Sequence, residues 1–238
     1  MQRASAESIE RELSAALLRG DYPTNSRLPP LQQLAREFGV NTATVQRAID
    51  RLCAAGLVTA KKGSGVTVND QRESADLALL PARVEALLAE PSRAVKVLGD
   101  FLELRRLVVG QLLLRYRQRV VAHLPRLREL LDAVRTADTV DQLMVADLAF
   151  ARALVAATGN TAALSVFNTF AKLLQRVPVV AAAMYAQPKS NQRALVALVA
   201  LLEASGSDKS LAELVDSGIA QVDGQTMRRF ERHLSQQD

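Results

Sequence analysis

Residues 27–68 read RLPPLQQLAREFGVNTATVQRAIDRLCAAGLVTAKKGSGVTV, and the order of structural punctuation in this stretch decides the fold. Pro29 and Pro30 open a short helix with Leu31, Leu34 and Phe38 as its apolar stripe, and Gly39 ends it. Only Val40 separates that glycine from Asn41, a residue suited to cap a helix over about 42–55. Val45, Ile49 and Leu52 share the inner face of that helix, and Gly56 terminates it. Two short runs rich in Val and Thr follow, Leu57–Lys61 and Val66–Val68, both suited to strands. Lys61-Lys62-Gly63-Ser64-Gly65 joins them, and its glycines supply the positive φ of a tight hairpin. Upstream, a helix over 5–19 is expected. Ser5 can cap it, Ile9, Leu13, Leu17 and Leu18 face inward, and Gly20 stops it before the turn formers Asp21–Ser26. Three helices, a strand, a basic turn and a strand make a winged helix-turn-helix over residues 1–70.

Beyond it the pattern changes. Asn69–Ala75 is polar and aperiodic, and a linker is expected over 71–78. From 79 to 238 only helical periods occur, broken at Pro91, Pro125, Gly159, Pro178, Pro188 and Gly206. The spacing predicts helices over 79–89, 93–119, 125–136, 139–158, 161–176, 190–204 and 209–235, with a short piece near 179–186. The fold class is therefore mainly α: an N-terminal winged helix-turn-helix followed by an all-α helical bundle.

With 238 residues, 49% of them apolar, the chain has material for two packed cores. The net charge of +5 permits nucleic acid as a partner without requiring it. Cys53 is the single cysteine, so no disulfide forms within the chain; its place in an apolar helical pattern reads as core packing in a reducing cytoplasm. Arg3, Glu7, Glu10, Arg11 and Glu12 interrupt any early apolar run, so no signal peptide is expected. Leu107–Leu114, interrupted by Gly110 and Gln111, falls far short of the ~20 residues of a membrane span. A cytoplasmic chain without a membrane partner is expected. No nucleophile–base pair, phosphate loop or catalytic carboxylate pair is recognisable, so an enzyme is not expected.

A helix-turn-helix sets its second helix in the major groove while the first braces it. Thr42, Thr44, Gln46 and Arg47 lie near the start of that second helix, and a glutamine can pair bidentately with adenine. Lys61, Lys62 and Gly63 form the wing, where cations meet phosphates. The pattern alone also fits a protein-interaction module, with the lysines simply solvated. Residues 1–72 hold ten Lys/Arg against seven Asp/Glu, a weak basic excess.

Arg27-Leu28-Pro29-Pro30-Leu31-Gln32-Gln33-Leu34-Ala35, Phe38-Gly39-Val40-Asn41, Thr44-Val45-Gln46-Arg47-Ala48, Gly56-Leu57-Val58 and Lys62-Gly63-Ser64-Gly65-Val66-Thr67-Val68 together resemble the DNA-binding domain of GntR-type regulators. The resemblance implies a homodimer on a palindromic double-stranded operator, touched by Arg27, Gln32, Thr42, Thr44, Gln46, Arg47, Lys61, Lys62 and Gly63. Many members carry arginine where this chain has Gln32, Thr42 and Gln46, which implies a less guanine-centred site here.

Leu102-Glu103-Leu104-Arg105-Arg106, Asp147-Leu148-Ala149-Phe150, Thr158-Gly159-Asn160 and Met184-Tyr185-Ala186-Gln187-Pro188 are similar to the FadR-type effector domain of that family. Most of that branch holds a metal with one Asp and three His. Asp147 stands at the Asp position, but the His positions fall near Ala151, Gln192 and Gly218, and the chain has two histidines in all, His123 and His233. No metal and no other cofactor is therefore expected. The metal-free members it resembles best bind long-chain acyl-CoA, so the implied effector is a fatty acid or acyl-CoA. A small carboxylate held without metal, or a domain that only dimerises, remains open.

Arg105 is the candidate for the effector's charged group, with an internal ion pair to a residue such as Asp147 as the alternative. Phe101, Phe150, Phe167, Phe170, Met184, Tyr185 and Met227 are candidate lining residues, each equally at home in a plain core. Arg115, Arg117 and Arg119 read as a solvated face or a dimer contact.

Overall fold

The computed structural model describes residues 4–71, 73, 76–204 and 208–236. The chain divides into two compact units, Met1–Ala89 and Glu90–Asp238.

In the first unit, α1 (Ala6–Arg19) begins with a capping box in which Ser5 and Ser8 exchange side-chain and backbone bonds. The segment α2 (Leu31–Glu37) follows the two prolines, and α3 (Thr42–Ala54) follows a four-residue turn, Phe38 to Asn41. Gly39 takes φ +64° in that turn, a conformation L side chains rarely adopt. Asn41 then caps α3, its Oδ1 accepting from the Thr44 amide at 2.8 Å. Val45, Ala48, Ile49 and Leu52 of α3 pack with Ile9, Leu13 and Leu17 of α1, all shielded from solvent. Cys53 lies half-buried against this core.

The strands β1 (Val58–Lys61) and β2 (Gly65–Val68) pair antiparallel, Val58 opposite Val68 and Lys61 opposite Gly65. The stretch ahead of α2 joins them: Arg27 bridges Thr67, the Leu28 amide donates to the Val66 carbonyl, and the Val68 amide donates to the Ser26 carbonyl, both at 2.9 Å. Leu28, Val58, Val66 and Val68 close the same core.

A 3-10 turn, Leu77–Leu79, and α4 (Leu80–Ala86) complete this unit. This moves the expected boundary. The helix predicted over 79–89 belongs to the first unit, since α4 runs against α1, and Leu79, Ala82 and Ala86 pack on the first core. An amphipathic period announces a helix but not which core it covers. The linker expected over 71–78 contains the first two residues of this 3-10 turn, while its residues 72, 74 and 75 lie outside the described ones.

The second unit is all helical: α5 (Pro91–Arg115), α6 (Arg117–Ala122), α7 (Leu124–Arg135), α8 (Val140–Ala157), α9 (Thr161–Arg176), α10 (Pro178–Met184), α11 (Pro188–Glu203) and α12 (Asp208–Leu234). Thr139 and Gln142 cap α8 reciprocally, and Asn160 caps α9. Prolines stand in the first turns of α5, α7, α10 and α11, where a missing amide costs nothing. The helix predicted over 93–119 is in fact two. The backbone leaves helical geometry at Tyr116 (φ −113°, ψ 22°), and α6 then buries Val120 beside α7, α8 and α11. No Gly or Pro marks the break, so packing sets it. The Gly206 break falls outside the described residues. Helix α12 lies along α5 and also touches α10 and α11, with Phe230 and Thr226 fully buried. No described helix is long and apolar enough to cross a membrane.

Candidate nucleic-acid interface and ligand cavity

In the first unit the candidate residues fall on the stretch ahead of α2, on α2 and α3, and on the wing. Arg27, Gln32, Thr42, Arg47, Lys61, Lys62 and Gly63 are exposed, and Thr44 and Gln46 half-buried. Among the described residues, no carboxylate pairs with Arg27, Arg36, Arg47, Lys61 or Lys62. The surface thus keeps its positive charge free. Two side chains are less free than the sequence suggests. The Thr44 hydroxyl donates to Asn41 Oδ1 at 2.9 Å, so it serves the helix cap. The Gln46 amide donates to Asp50 Oδ1 at 2.8 Å, one turn further along α3. Gln46 must give up that bond to present both its donor and its acceptor to a base.

In the second unit, α5, α8, α9, α11 and α12 enclose a cavity of about 480 Å³. That volume lies within the range of small-molecule sites. Val109 and Leu113 of α5, Phe150 and Leu154 of α8, Phe167 and Phe170 of α9, Leu195 and Leu198 of α11 and Ile219 and Val222 of α12 give it an apolar wall. Arg105, Arg193 and Asp147 supply charge, and Ser190, Asn191, Ser217 and Gln221 supply further polar atoms.

Of the residues expected to meet an effector, Arg105, Asp147, Phe150, Phe167, Phe170 and Met184 line this cavity. Three stand behind the wall. Phe101 stacks on Phe170 with ring centroids 6.5 Å apart. The hydroxyl of buried Tyr185 donates to Asp147 Oδ2 at 2.6 Å. Met227 packs beside Gly99 of α5.

Arg105 has an internal partner, and it is Asp223 rather than Asp147. Its Nη2 lies 2.5 Å from Asp223 Oδ1, with the two side chains 17% and 11% exposed, and its guanidinium rests on the Phe170 ring at 4.4 Å. Arg105 Nε and Asp223 Oδ2 are buried with no hydrogen-bond partner. Burial pushes the Asp147 carboxyl above the usual carboxylate range, opposed by the Tyr185 hydroxyl and then by Arg105. Burial also pushes Asp223 up, with Arg105 the chief opposing charge. Tyr185 is raised by burial first and by neighbouring Asp147 second.

Asp223 escaped the sequence reading although its signal was present. Ile219, Val222, Asp223, Thr226 and Phe230 share one helical stripe, and a carboxylate on such a stripe needs a buried partner. That the partner is 118 residues away is not readable from local pattern. Arg193 carried no such signal, being exposed on α11.

The donor set around Asp147 does not fit a metal. Ala151 and Gly218, both on the cavity wall, have no ligating side-chain atoms. Gln192 turns its amide away, donating to the Val134 carbonyl of α7 at 2.9 Å. Among the described residues, no group of three or more His, Cys, Asp or Glu converges.

Residues 5–68 match the gntR family of bacterial regulatory proteins, and residues 100–216 match the FCD domain. An uncharacterized HTH-type transcriptional regulator, Rv0494 of Mycobacterium tuberculosis, is 33% identical over 158 residues, 66% of this chain and 62% of that one. The chain thus spans just under two thirds of that relative's length. The HTH-type transcriptional regulator Mce2R of the same species is 38% identical over 80 residues, 34% of this chain and 33% of that one. A solved structure of Lar, described as controlling expression of the Listeria monocytogenes agr system, covers 96% of this chain and 99% of its own with a TM-score of 0.55. At 18% identity that likeness shows the fold alone. These relatives are named as regulators of transcription, not as enzymes. With both of its units matched in order, the chain belongs to the gntR family of bacterial regulatory proteins and carries an FCD domain in its helical unit.

Proposed function

We propose that this protein is a cytoplasmic transcription regulator that binds double-stranded DNA through its first unit and a small effector through its second. The unpaired cations Arg27, Arg47, Lys61 and Lys62, displayed around α3 and the wing, carry the DNA-binding reading. Such cations hold phosphates, while Gln46 and Thr42 reach base edges. The partner is a palindromic operator and the binding species a homodimer, as the family match supports. The test is selection of binding sites from random duplex DNA by the full chain. An enriched inverted repeat is expected, and a pool that stays random after repeated rounds refutes the reading.

The apolar wall of the cavity supports an effector with an aliphatic body, such as a fatty acyl chain. A small anionic metabolite held by Arg105 is less well supported, because that guanidinium already faces Asp223. Native mass spectrometry followed by organic extraction tests for a retained acyl chain. DNA and effector affinities are linked reciprocally, so a saturating effector that leaves DNA affinity unchanged refutes the sensing role.

A further inference from the structure

The lining of the cavity is graded from floor to rim. Leu113, Phe150, Leu154, Phe167 and Phe170 are apolar and buried, whereas Arg193 of α11 and Ser217 and Gln221 of α12 are exposed. Polar side chains on these two helices thus border the solvent side, with hydrocarbon behind them. The charges further in are already answered. Arg105 is paired with Asp223 at 2.5 Å. Asp147 accepts from the Tyr185 hydroxyl, and burial pushes its carboxyl towards the neutral form. At the rim one charge is unanswered: Arg193 has neither an ion pair nor a hydrogen bond among the described residues. Asp147 does not serve it, since Arg105 is the cation that acts on that carboxyl. Asp216 of α12 is taken by Arg106 at 3.2 Å. Lys189, one turn before Arg193, is also exposed and without a carboxylate partner among the described residues, and no acidic residue stands on α11 before Glu203. Like charges one turn apart on a helix repel, and an anion seated beside them relieves that repulsion. A cation at the edge of an apolar hollow also draws anions towards it.

We propose that Arg193 binds the effector's head group, an ionised carboxylate, at the rim of the cavity, while the aliphatic body lies inward among α5, α8 and α9. The proposal rests on the reading of this cavity as the effector site; it fixes the ligand's orientation and moves its charged contact from Arg105 to α11. A guanidinium meets a carboxylate with two parallel N–H donors, and Arg193 has no internal partner to surrender first. Arg105 acts as a positioning residue: it holds Asp223 and stacks on Phe170, which forms part of the floor.

The test titrates the delipidated full chain with decanoate, decylamine and 1-decanol by calorimetry near neutral pH. The three probes share one aliphatic body and differ in the charge of the head. Decanoate is expected to bind at least about fivefold more tightly than decylamine. Arg193→Gln removes the charge at an exposed helical position with no partner to lose, so the helix is expected to persist. It is expected to weaken decanoate by about threefold to tenfold and to leave decanol within about twofold of its native affinity. A native chain that binds decylamine as tightly as decanoate overturns the proposal, whatever the variant does. So does an Arg193→Gln chain that loses no more affinity for decanoate than for decanol. Gly218 lines the cavity and a Cβ added there meets nothing within 4 Å, so Gly218→Leu narrows the space and is expected to weaken decanoate and decanol alike. If none of the probes binds the native chain, or if Gly218→Leu leaves their affinities unchanged, the effector-cavity reading itself falls, and the assignment of Arg193 falls with it.

Discussion

Replacing Asp223 with leucine leaves the Arg105 guanidinium inside the helical unit without its partner at 2.5 Å. Breaking a buried ion pair by removing one member costs about 3–5 kcal/mol. Two features place this case at or just below the lower end. Asp147 remains within electrostatic reach of Arg105, and the Phe170 ring, 4.4 Å from the guanidinium, keeps a cation–π contact. A loss of about 2–3 kcal/mol is expected. With a urea dependence of about 2 kcal/mol per molar, the unfolding midpoint of the helical unit falls by about 1–1.5 M. The partner experiment is asymmetric. Arg105→Met leaves a carboxyl that burial already pushes up, and that group can escape its charge by taking a proton. Its folded pKa then lies above the unfolded one, so the penalty is felt at neutral pH and disappears as pH falls through the folded value. Arg105 has no such escape, so the Asp223→Leu penalty persists on acidification. The double replacement, Arg105→Met with Asp223→Leu, is expected to lie within about 1 kcal/mol of the native chain, since it removes both desolvated charges together. Equilibrium urea unfolding of all four chains, followed by circular dichroism at two pH values, gives the cycle. An Asp223→Leu loss below about 1 kcal/mol, or a double variant as unstable as the sum of the singles, refutes the reasoning.

Other outcomes follow from the same geometry. Asn41→Ala removes the acceptor for both the Thr44 amide and its hydroxyl, and is expected to lower the first unit's thermal stability by about 1 kcal/mol. Replacing Lys61 and Lys62 together with alanine is expected to reduce the slope of log K against log salt by about 2 if each meets one phosphate, read by fluorescence anisotropy on the selected operator. Asp147→Asn relieves the cost of ionising a carboxyl that burial has raised while keeping an acceptor for Tyr185. The variant is expected to be more stable than the native chain at neutral pH. Its advantage shrinks as pH falls through the folded pKa of Asp147, where the native carboxyl regains its proton. Thermal melts across that range check the sign.

The first unit was legible almost residue by residue because its signals are local. Ser5, Gly20, Gly39, Asn41 and Gly56 each act within one turn of their own position, and the structure uses each at an element's end. The helix order of the second unit was legible for the same reason. What escaped depends on distant neighbours. Nothing near Tyr116 announces the break between α5 and α6, and nothing near residue 79 tells which core α4 covers. The cavity was half legible: aromatic and charged side chains on apolar stripes pointed towards it. The aliphatic wall residues did not, because Val109 or Leu198 looks the same in a packed core as beside a void. The pairing of Arg105 was anticipated as a type of contact but assigned to the wrong carboxylate, a choice that only the register of α12 against α5 decides.

The bonds that tie residues 25–28 to β2 bear on how much disorder the wing can sustain. A lone two-stranded hairpin is marginal in water, and its tip samples many arrangements. Here Asn25, Ser26 and Leu28 hold β2 on its second edge, so that edge is not free to peel, and the same few residues lead directly into α2. The basic tip and the helices consequently form one pre-set shape. Little conformational entropy is surrendered when a partner is met, and more of the contact energy remains as affinity. Loosening this strip by a proline at Leu28 would convert a fixed template into one that must be ordered anew at each encounter.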